Sequence, residues 1–339
     1  KILNYKVLAG AGLAGLMAIS ANTMASAIIY NTGDPLTATV ALGVNDEGHL
    51  NVSAGNITAN ASATGVAYKF PDGSWRDATA PGCLCEGWGA SASGVSGYAD
   101  EDLSTAVNNL TLGSFGSTAS TATSVTTLTS LPDLKITHAY APSVANSSLF
   151  EAVVTLTNTG VATLTDVRYT RAMDWDIPPT EFSEYVTIKG TATTTNLLYS
   201  DDNGFETPDP LGARFAYGGC GAGTTVDLTD CGPSDHGAVF DFGFGDLLAG
   251  ESITFSIFYG ATATEALALT AMGDIGAELF SFGQSDPRGQ TFIFAFTGVG
   301  GTPVVVPEPG MALLLGVGML GVVAARRRRK YLQTDTVSA

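Results

Sequence analysis

Two carboxylates flank a tryptophan in the middle of the chain, where Asp174 and Asp176 precede an Ile-Pro-Pro turn. Residues at i and i+2 of a strand point to the same side, so both carboxylates are predicted to share one face. Such a pair can catalyse glycoside hydrolysis, hold a calcium ion or cap the turn. Glycosidase pairs usually come from different strands of a cleft, and the sequence names no partner here. We therefore favour the structural or calcium-binding roles over catalysis.

Two further groups of side-chain oxygens follow along the chain. The second group consists of Asp201, Asp202, Asn203 and Asp209. The third group consists of Asp227, Asp230 and Asp235. Hard oxygen ligands of this kind suit calcium, although the spacing lacks the terminal Glu of an EF-hand loop. Each group is interpreted either as a calcium site or as a solvated turn, and no other cofactor is indicated.

The three histidines, His49, His138 and His236, each stand apart from an evident Ser or Cys nucleophile. The alternating pattern around His138 predicts a packed core residue, whereas His236 beside Asp235 in a loop is the histidine with a candidate role. The sequence contains no G-x-S-x-G elbow, H-E-x-x-H motif, P-loop or G-x-G-x-x-G before a helix. These patterns predict that the protein is not an enzyme.

Three blocks follow one another over residues 304–330: Pro307-Glu308-Pro309, an uncharged apolar run over residues 310–325, and a basic cluster. The cluster consists of Arg326, Arg327, Arg328, Arg329 and Lys330. The run has sixteen residues, fewer than the roughly 20 that span a bilayer comfortably. We predict a short transmembrane helix whose basic end stops translocation, with residues 331–339 as a cytoplasmic tail.

This order of blocks resembles the PEP-CTERM sorting signal of Gram-negative bacteria. The resemblance implies recognition by an exosortase, a membrane-embedded cysteine protease that removes the tail. It also implies that the inner membrane is a transient anchor for a protein that is then released or handed to the cell surface, commonly in bacteria that make exopolysaccharide. The alternative is an ordinary C-terminal anchor with a chance Pro-Glu-Pro. A short, Gly-rich run suits a temporary anchor better than a permanent one.

The other end of the chain has the pattern of a secretory signal peptide. Lys1 and Lys6 precede an apolar stretch over residues 7–19, and Ala25-Ser26-Ala27 places small residues at the −3 and −1 positions. Residues 1–27 are therefore predicted to be removed by signal peptidase, with cleavage after Ala27. The alternative is a stable N-terminal membrane helix.

The body between the two signals is strongly acidic. The chain has 15 basic and 32 acidic residues and a net charge of −17. Seven of the basic residues but only two of the acidic ones lie in the signals, so the body carries about −22. Phosphate binding needs a basic footprint, and nucleic acid is therefore excluded as a partner.

The four cysteines are expected to be oxidised, because the exported setting favours disulfides. Cys220 and Cys231 bracket a Gly-rich loop and are the first choice for a local disulfide. Cys83 and Cys85 would then be either bridged to each other or free. Four cysteines allow three connectivities, so the pairing stays open. A zinc site is the rival interpretation, although Cys-x-Cys lacks the usual Cys-x-x-Cys pairing.

The body is rich in Thr, Ser, Gly, Val and Phe, a usage that favours strands and tight turns. We predict an all-β fold with an N-terminal β region over residues 28–130 and a β-sandwich domain over residues 131–303. Alternation on both sides of Asn158-Thr159-Gly160 predicts a β-hairpin. This stretch resembles the immunoglobulin-like sandwiches of bacterial surface proteins, which implies one or two such sandwiches. One short helix is predicted over residues 266–272, begun by a capping box at Thr262 and stopped by Gly273.

The body also resembles a group of exported bacterial proteins, many with PEP-CTERM tails, in the stretches CLCEGWG, MDWDIPPTEF, DNGF and FYGATATEALAL. That resemblance implies architecture and destination but no reaction. The leading hypothesis is an exported, non-enzymatic surface or matrix protein that acts through adhesion or association with exopolysaccharide. The alternative is a carbohydrate-binding module or glycan-active enzyme, in which Trp75 and Trp88 would form a sugar platform beside the carboxylates.

Overall fold

A computed structural model describes residues 26–101, 107–217, 219–220 and 223–305. This part of the chain is mostly β-strand with one short helix, as the sequence predicts. None of its helices is long and apolar enough to cross a membrane. The signal peptide as far as Ala25, the Pro-Glu-Pro motif, the apolar run, the basic cluster and the tail all lie outside the described residues.

The elements follow one another in this order: β1 (Ser26–Tyr30), β2 (Val40–Asn45), β3 (Val66–Lys69), β4 (Trp75–Asp77), β5 (Gly87–Ala92), β6 (Val95–Asp100), β7 (Val107–Asn108), β8 (Leu110–Ser117), β9 (Ala122–Leu128), β10 (Leu131–Pro142), β11 (Leu149–Asn158), β12 (Leu164–Trp175), β13 (Glu184–Lys189), β14 (Leu197–Asp201), β15 (Leu228–Ser234), β16 (His236–Leu247), β17 (Ser252–Thr262), α1 (Glu265–Ile275), β18 (Leu279–Gln284) and β19 (Thr291–Thr297).

The strands form three sheets in which every pairing is antiparallel. A nine-stranded sheet has the order β15-β13-β18-β19-β17-β11-β10-β9-β8, and a six-stranded sheet has the order β14-β16-β12-β5-β6-β7. These two pack face to face through aromatic rings: the centroids of Phe242 and Phe296 are 5.0 Å apart, and those of Phe240 and Phe294 are 5.5 Å apart. The result is a β-sandwich with more strands than the roughly seven to nine of an immunoglobulin domain.

Strands from both sides of the predicted boundary at residue 130 share the two large sheets. β9 pairs with β10 across that boundary, and β5 pairs with β12. The third sheet, β1-β2-β3-β4, contributes Ile29 and Leu42 to the same hydrophobic cluster as Phe255 and Phe294. Residues 28–130 and 131–303 are thus two parts of one folded unit rather than separate domains.

The predicted hairpin around Asn158 is wrong. β11 pairs with β10 and β17 in the nine-stranded sheet, whereas β12 pairs with β16 and β5 in the six-stranded sheet. The buried Asn158 side chain holds the crossing by donating to the carbonyl oxygens of Ala162 and Leu247 at 2.7 and 2.9 Å. A turn of this composition serves a crossing between sheets as well as a hairpin, so the local pattern does not distinguish them.

The predicted helix is present with shifted ends. Its N-cap is Thr264, two residues after the predicted Thr262, and the Thr264 side chain accepts from Leu267 N at 3.3 Å. Its C-cap is Gly276 in the left-handed conformation at φ 63°, so the helix continues through Gly273. The helix covers one face of the nine-stranded sheet, where Ala268, Ala271 and Met272 pack near Phe280 and Ile293.

The turn after β2 gives folding stability a pH dependence. Burial, followed by the neighbouring Asp46 carboxylate, raises the pKa of Glu47 to about 7. Because this pKa is raised in the folded state, the associated stability is present below about pH 4.3 and is lost as the pH rises through 7.

We expect Glu47→Gln to remove that loss and to raise the free energy of unfolding at pH 8 by about 1 kcal/mol, after allowance for solvent screening. Urea titrations of wild type and variant at pH 4 and pH 8 measure the difference. Glu251→Gln, at an exposed position, is the control and should change neither value. An equal pH slope in wild type and Glu47→Gln would contradict the assignment.

Candidate functional site

The two carboxylates of the Asp-Trp-Asp sequence lie together in the interior, as their spacing predicts. Asp174 is the next-to-last residue of strand β12 and Asp176 directly follows the strand, and both side chains are buried. Asp235, between β15 and β16, joins them, because one oxygen of each of the three carboxylates lies within 4.8 Å of the others. The Asp-Trp-Asp pair and the third group of the sequence thus contribute to one acidic cluster.

The local structure explains why these carboxylates point to one side. Trp175 points to the other side, into the nine-stranded sheet, where its Nε1 donates to Ser281 Oγ at 3.0 Å. The close approach requires Gly283 in β18, since a Cβ there would lie 2.7 Å from the Trp175 ring. The backbone N–H of Asp176 donates to Ala78 O at 2.8 Å, which fixes the chain as it leaves the strand.

A fourth carboxylate, that of the buried Glu184, lies at the start of β13. Its Oε1 accepts from His236 N at 2.6 Å, while Oε2 has no hydrogen-bond partner among the described residues. No sequence pattern pointed to Glu184, because the first residue of a strand carries no local signal for such a role. We call Asp174, Asp176, Glu184 and Asp235 the carboxylate cluster.

The electrostatics of the carboxylate cluster are unfavourable for four negative charges. Burial, with the charges of Asp174, Glu184 and Asp235 adding to it, raises the pKa of Asp176 to about 10. Burial, with the charges of Asp235 and Glu184 adding to it, raises the pKa of Asp174 well above its usual value, and burial raises the pKa of Glu184 to about 8. Without a compensating positive charge, the cluster would hold protons at neutral pH.

Cys220 and Cys231, the first choice for a disulfide, are bonded in the structure, and Cys83 and Cys85, left open as bridged or free, are bonded to each other. Cys83 Sγ lies 3.3 Å from Asp174 Oδ2 at the edge of the carboxylate cluster. A disulfide sulfur carries no hydrogen, so this contact supplies no donor to the carboxylate. The same bonding removes the thiolates that the alternative zinc site would need.

The DNGF stretch borders the cluster but has a different role. Asp202 Oδ2 lies 2.8 Å from His236 Nδ1, beside the Cys220–Cys231 disulfide. In the other three side chains of the second group, Oδ1 accepts hydrogen bonds from backbone N–H groups. The pairs are Asp201 with Asn203 and Tyr217, Asn203 with Phe205, and Asp209 with Leu211. In the structure this second group therefore shapes turns and is not gathered around one point.

The glutamate of CLCEGWG belongs to a second buried network on the other side of β12. Glu86 Oε1 accepts from Arg171 Nε at 2.5 Å, and both side chains have no exposed surface. Tyr140 lies 3.3 Å from the Arg171 guanidinium. His138 Nε2 lies 2.9 Å from Tyr169 Oη, and burial lowers the pKa of His138, so His138 is the packed core residue that its strand pattern predicts.

The two tryptophans proposed as a sugar platform do not form one in the structure. Trp88 is fully buried and stacks on Tyr169 with ring centroids 6.0 Å apart. Trp75 is half-buried and meets Tyr30 edge to face at 6.0 Å. A platform needs exposed ring faces beside one another, and these two rings instead pack within the fold.

The destination of the protein is decided by the end of the chain. Residues 305–329 match the family model of the PEP-CTERM protein-sorting motif. The chain carries a PEP-CTERM sorting motif. This motif implies an exported protein that is sorted by exosortase through a membrane-anchored precursor. No curated protein matches the chain.

The PEP-CTERM motif begins at residue 305, the last residue that the structure describes. Glu278 ties down the last segment of the body, since its carboxylate accepts from the N–H groups of Gly298, Val299 and Gly301 at 2.8–3.0 Å. Val304 N then donates to Ala277 O at 2.8 Å. The backbone hydrogen bonds of the described body therefore extend to residue 304, immediately before the segment that the motif occupies.

Proposed function

We propose that this chain is an exported, non-enzymatic surface or matrix protein that is associated with extracellular polysaccharide or adhesion. Signal peptidase removes residues 1–27, the apolar run over residues 310–325 holds the precursor in the inner membrane, and exosortase then removes the tail. Cleavage after Ala27 leaves Ile28, Ile29 and Tyr30 paired in β1. The sorting motif and the β-sandwich support delivery of a folded body to the cell surface.

The burial of the carboxylates carries the proposal that the body is not an enzyme. Asp174, Asp176 and Glu184 have at most 1% of their surface exposed. A glycosidase needs its two carboxyl groups on either side of a bound sugar, with room for the substrate between them. A cluster enclosed by β12, β13 and β16 offers no such room. We therefore assign the cluster a structural role rather than a catalytic one.

The alternative is a carbohydrate-binding module, and one surface feature favours it. A surface cavity of about 690 Å³ is lined by Asn60, Ser62, Gly82, Glu181 and Phe182 among others. Phe182 is 52% exposed and stands at its rim. An exposed aromatic ring beside amide, hydroxyl and carboxylate groups is the chemistry with which proteins bind sugars.

A glycan screen of the purified full chain tests these two functions. The proposal expects retention by the polysaccharide of the producing cell or by a subset of glycans, with no release of reducing ends. Turnover that Asp174→Asn abolishes, in a variant that keeps the wild-type melting temperature, would overturn the non-enzymatic proposal. Binding that Phe182→Ala removes would assign the cavity as a carbohydrate site, whereas unchanged binding would place the contact elsewhere on the surface.

A further inference from the structure

The carboxylate cluster has the geometry of a cation site. Calcium binds oxygen at about 2.3–2.6 Å, so two oxygens on opposite sides of one ion lie about 4.8 Å apart. One oxygen each from Asp174, Asp176 and Asp235 satisfies that limit, since these atoms all lie within 4.8 Å of one another. A single ion can therefore contact all three side chains.

The unpartnered oxygens of the cluster are the second and independent observation. Both oxygens of Asp176, Oδ1 of Asp174 and Oε2 of Glu184 are buried and have no hydrogen-bond partner among the described residues. Asp174 Oδ2 has only the disulfide sulfur of Cys83 at 3.3 Å, which cannot donate. Buried polar atoms are nearly always satisfied in native proteins, so a set this large calls for a ligand.

Protonation alone does not satisfy these groups. A protonated carboxyl gains one O–H, which can pair with one neighbouring carboxylate oxygen, and the described neighbours supply no donor to the remaining oxygens. The ion pairs of Arg76, Arg168, Arg171 and Arg214 all involve other carboxylates. A divalent cation contacts several oxygens at once and neutralises two charges, which resolves both problems together.

We propose that Asp174, Asp176 and Asp235 bind one divalent cation of the calcium class, with the Glu184 carboxylate adding negative charge beside them. The ligand set consists of carboxylate oxygens alone. Such ligands suit calcium better than zinc. The neighbouring nitrogen and sulfur ligands are already engaged, since His236 Nδ1 lies against Asp202 and the cysteines are in disulfides. The ion reaches the site past Asp235, which is half-buried, and ties the end of β12 to the start of β16.

The direct test is the metal content and stability of the wild-type chain. The full chain is exported so that both disulfides form, purified in detergent, dialysed against EDTA and titrated with CaCl₂ by calorimetry. The expected result is about one calcium ion per chain and a melting temperature that EDTA lowers and calcium restores. Absence of calcium binding together with a melting temperature that EDTA leaves unchanged would overturn the proposal. Binding of Mg²⁺ or Mn²⁺ in place of calcium would overturn the calcium assignment.

Matched variants then locate the ion. Asp176→Asn keeps the shape of the side chain but removes a charge, and it should weaken calcium binding by at least roughly tenfold, because affinity follows the ligand charge count. Asp209→Asn, in the turn of the DNGF loop, should leave the affinity within about twofold of wild type. Glu184→Gln is the second test variant if Asp176→Asn fails to fold. Calcium affinity that depends on Asp209 but on neither Asp176 nor Glu184 would overturn the assignment.

Discussion

Replacing Glu86 with glutamine is expected to lower the free energy of unfolding by about 3–5 kcal/mol, because it leaves the Arg171 guanidinium buried without its counter-charge. Both side chains of this pair have no exposed surface. Glu86 also accepts from Leu50 N at 2.6 Å, which ties the loop after β2 to β5. The loss is large against the total stability of about 5–15 kcal/mol that native domains possess.

Urea denaturation followed by tryptophan fluorescence measures this loss. Arg171→Met should cost a similar amount, and the double variant Glu86→Gln/Arg171→Met should cost less than the two single changes together, since it leaves no buried charge unpaired. Asp166→Asn removes half of the exposed Arg168–Asp166 pair, whose atoms are 2.8 Å apart, and should cost less than about 1 kcal/mol. A loss below 1 kcal/mol for Glu86→Gln would show that the buried pair is not important for stability.

Replacing Gly237 with alanine is expected to cost at least about 3 kcal/mol, at the upper end of the range for overpacking. Gly237 lies opposite Asp174 in the pairing of β12 with β16, and its N–H donates to Asp202 O at 2.8 Å. A Cβ at this position would lie 2.2 Å from Gly204 Cα and 2.3 Å from Met173 O. Both atoms are backbone, so the strands and the DNGF loop must move apart.

The displaced segments carry Asp174 and Asp235, so the same substitution should also weaken calcium binding if the cluster holds an ion. Thermal unfolding of Gly237→Ala with and without calcium measures both effects. Gly116→Ala is the matched control, because Gly116 lies in β8 with no atom within 4 Å of the added methyl group. Equal stability of the two variants would show that the close approach at Gly237 is not required.

Local patterns predict where the strands and the helix lie along the chain. They do not predict which strands pair with one another. Alternation marks β10, β11, β12 and β17, and a threonine followed by a run of helix formers marks α1. The side chain of Asn158, however, reaches Leu247, 89 residues away in the sequence, and that contact decides that the chain crosses between sheets. A local pattern contains no information about a contact of this length, so the hairpin prediction failed.

The candidate site likewise contains residues that local patterns predict and residues that only the packing of the sheets brings in. Asp174 and Asp176 are predicted to lie together because strand geometry alone sets their spacing. Glu184 and Asp235 join them only when β13 and β16 take their places beside β12, which depends on the packing of two sheets. The oxygens of Asp201, Asn203 and Asp209 look equivalent in the sequence, and only the structure shows that backbone N–H groups already occupy them.

The C-terminal mass of the protein recovered from the cell surface tests the central claim most directly. In a host with an active exosortase, the surface form is expected to have lost the apolar run and the basic cluster over residues 326–330. Deletion of Pro307-Glu308-Pro309 should keep the tail on the protein and hold it in the inner-membrane fraction. A surface protein that retains Arg326–Arg329, or processing that is unchanged by the deletion, would contradict the account.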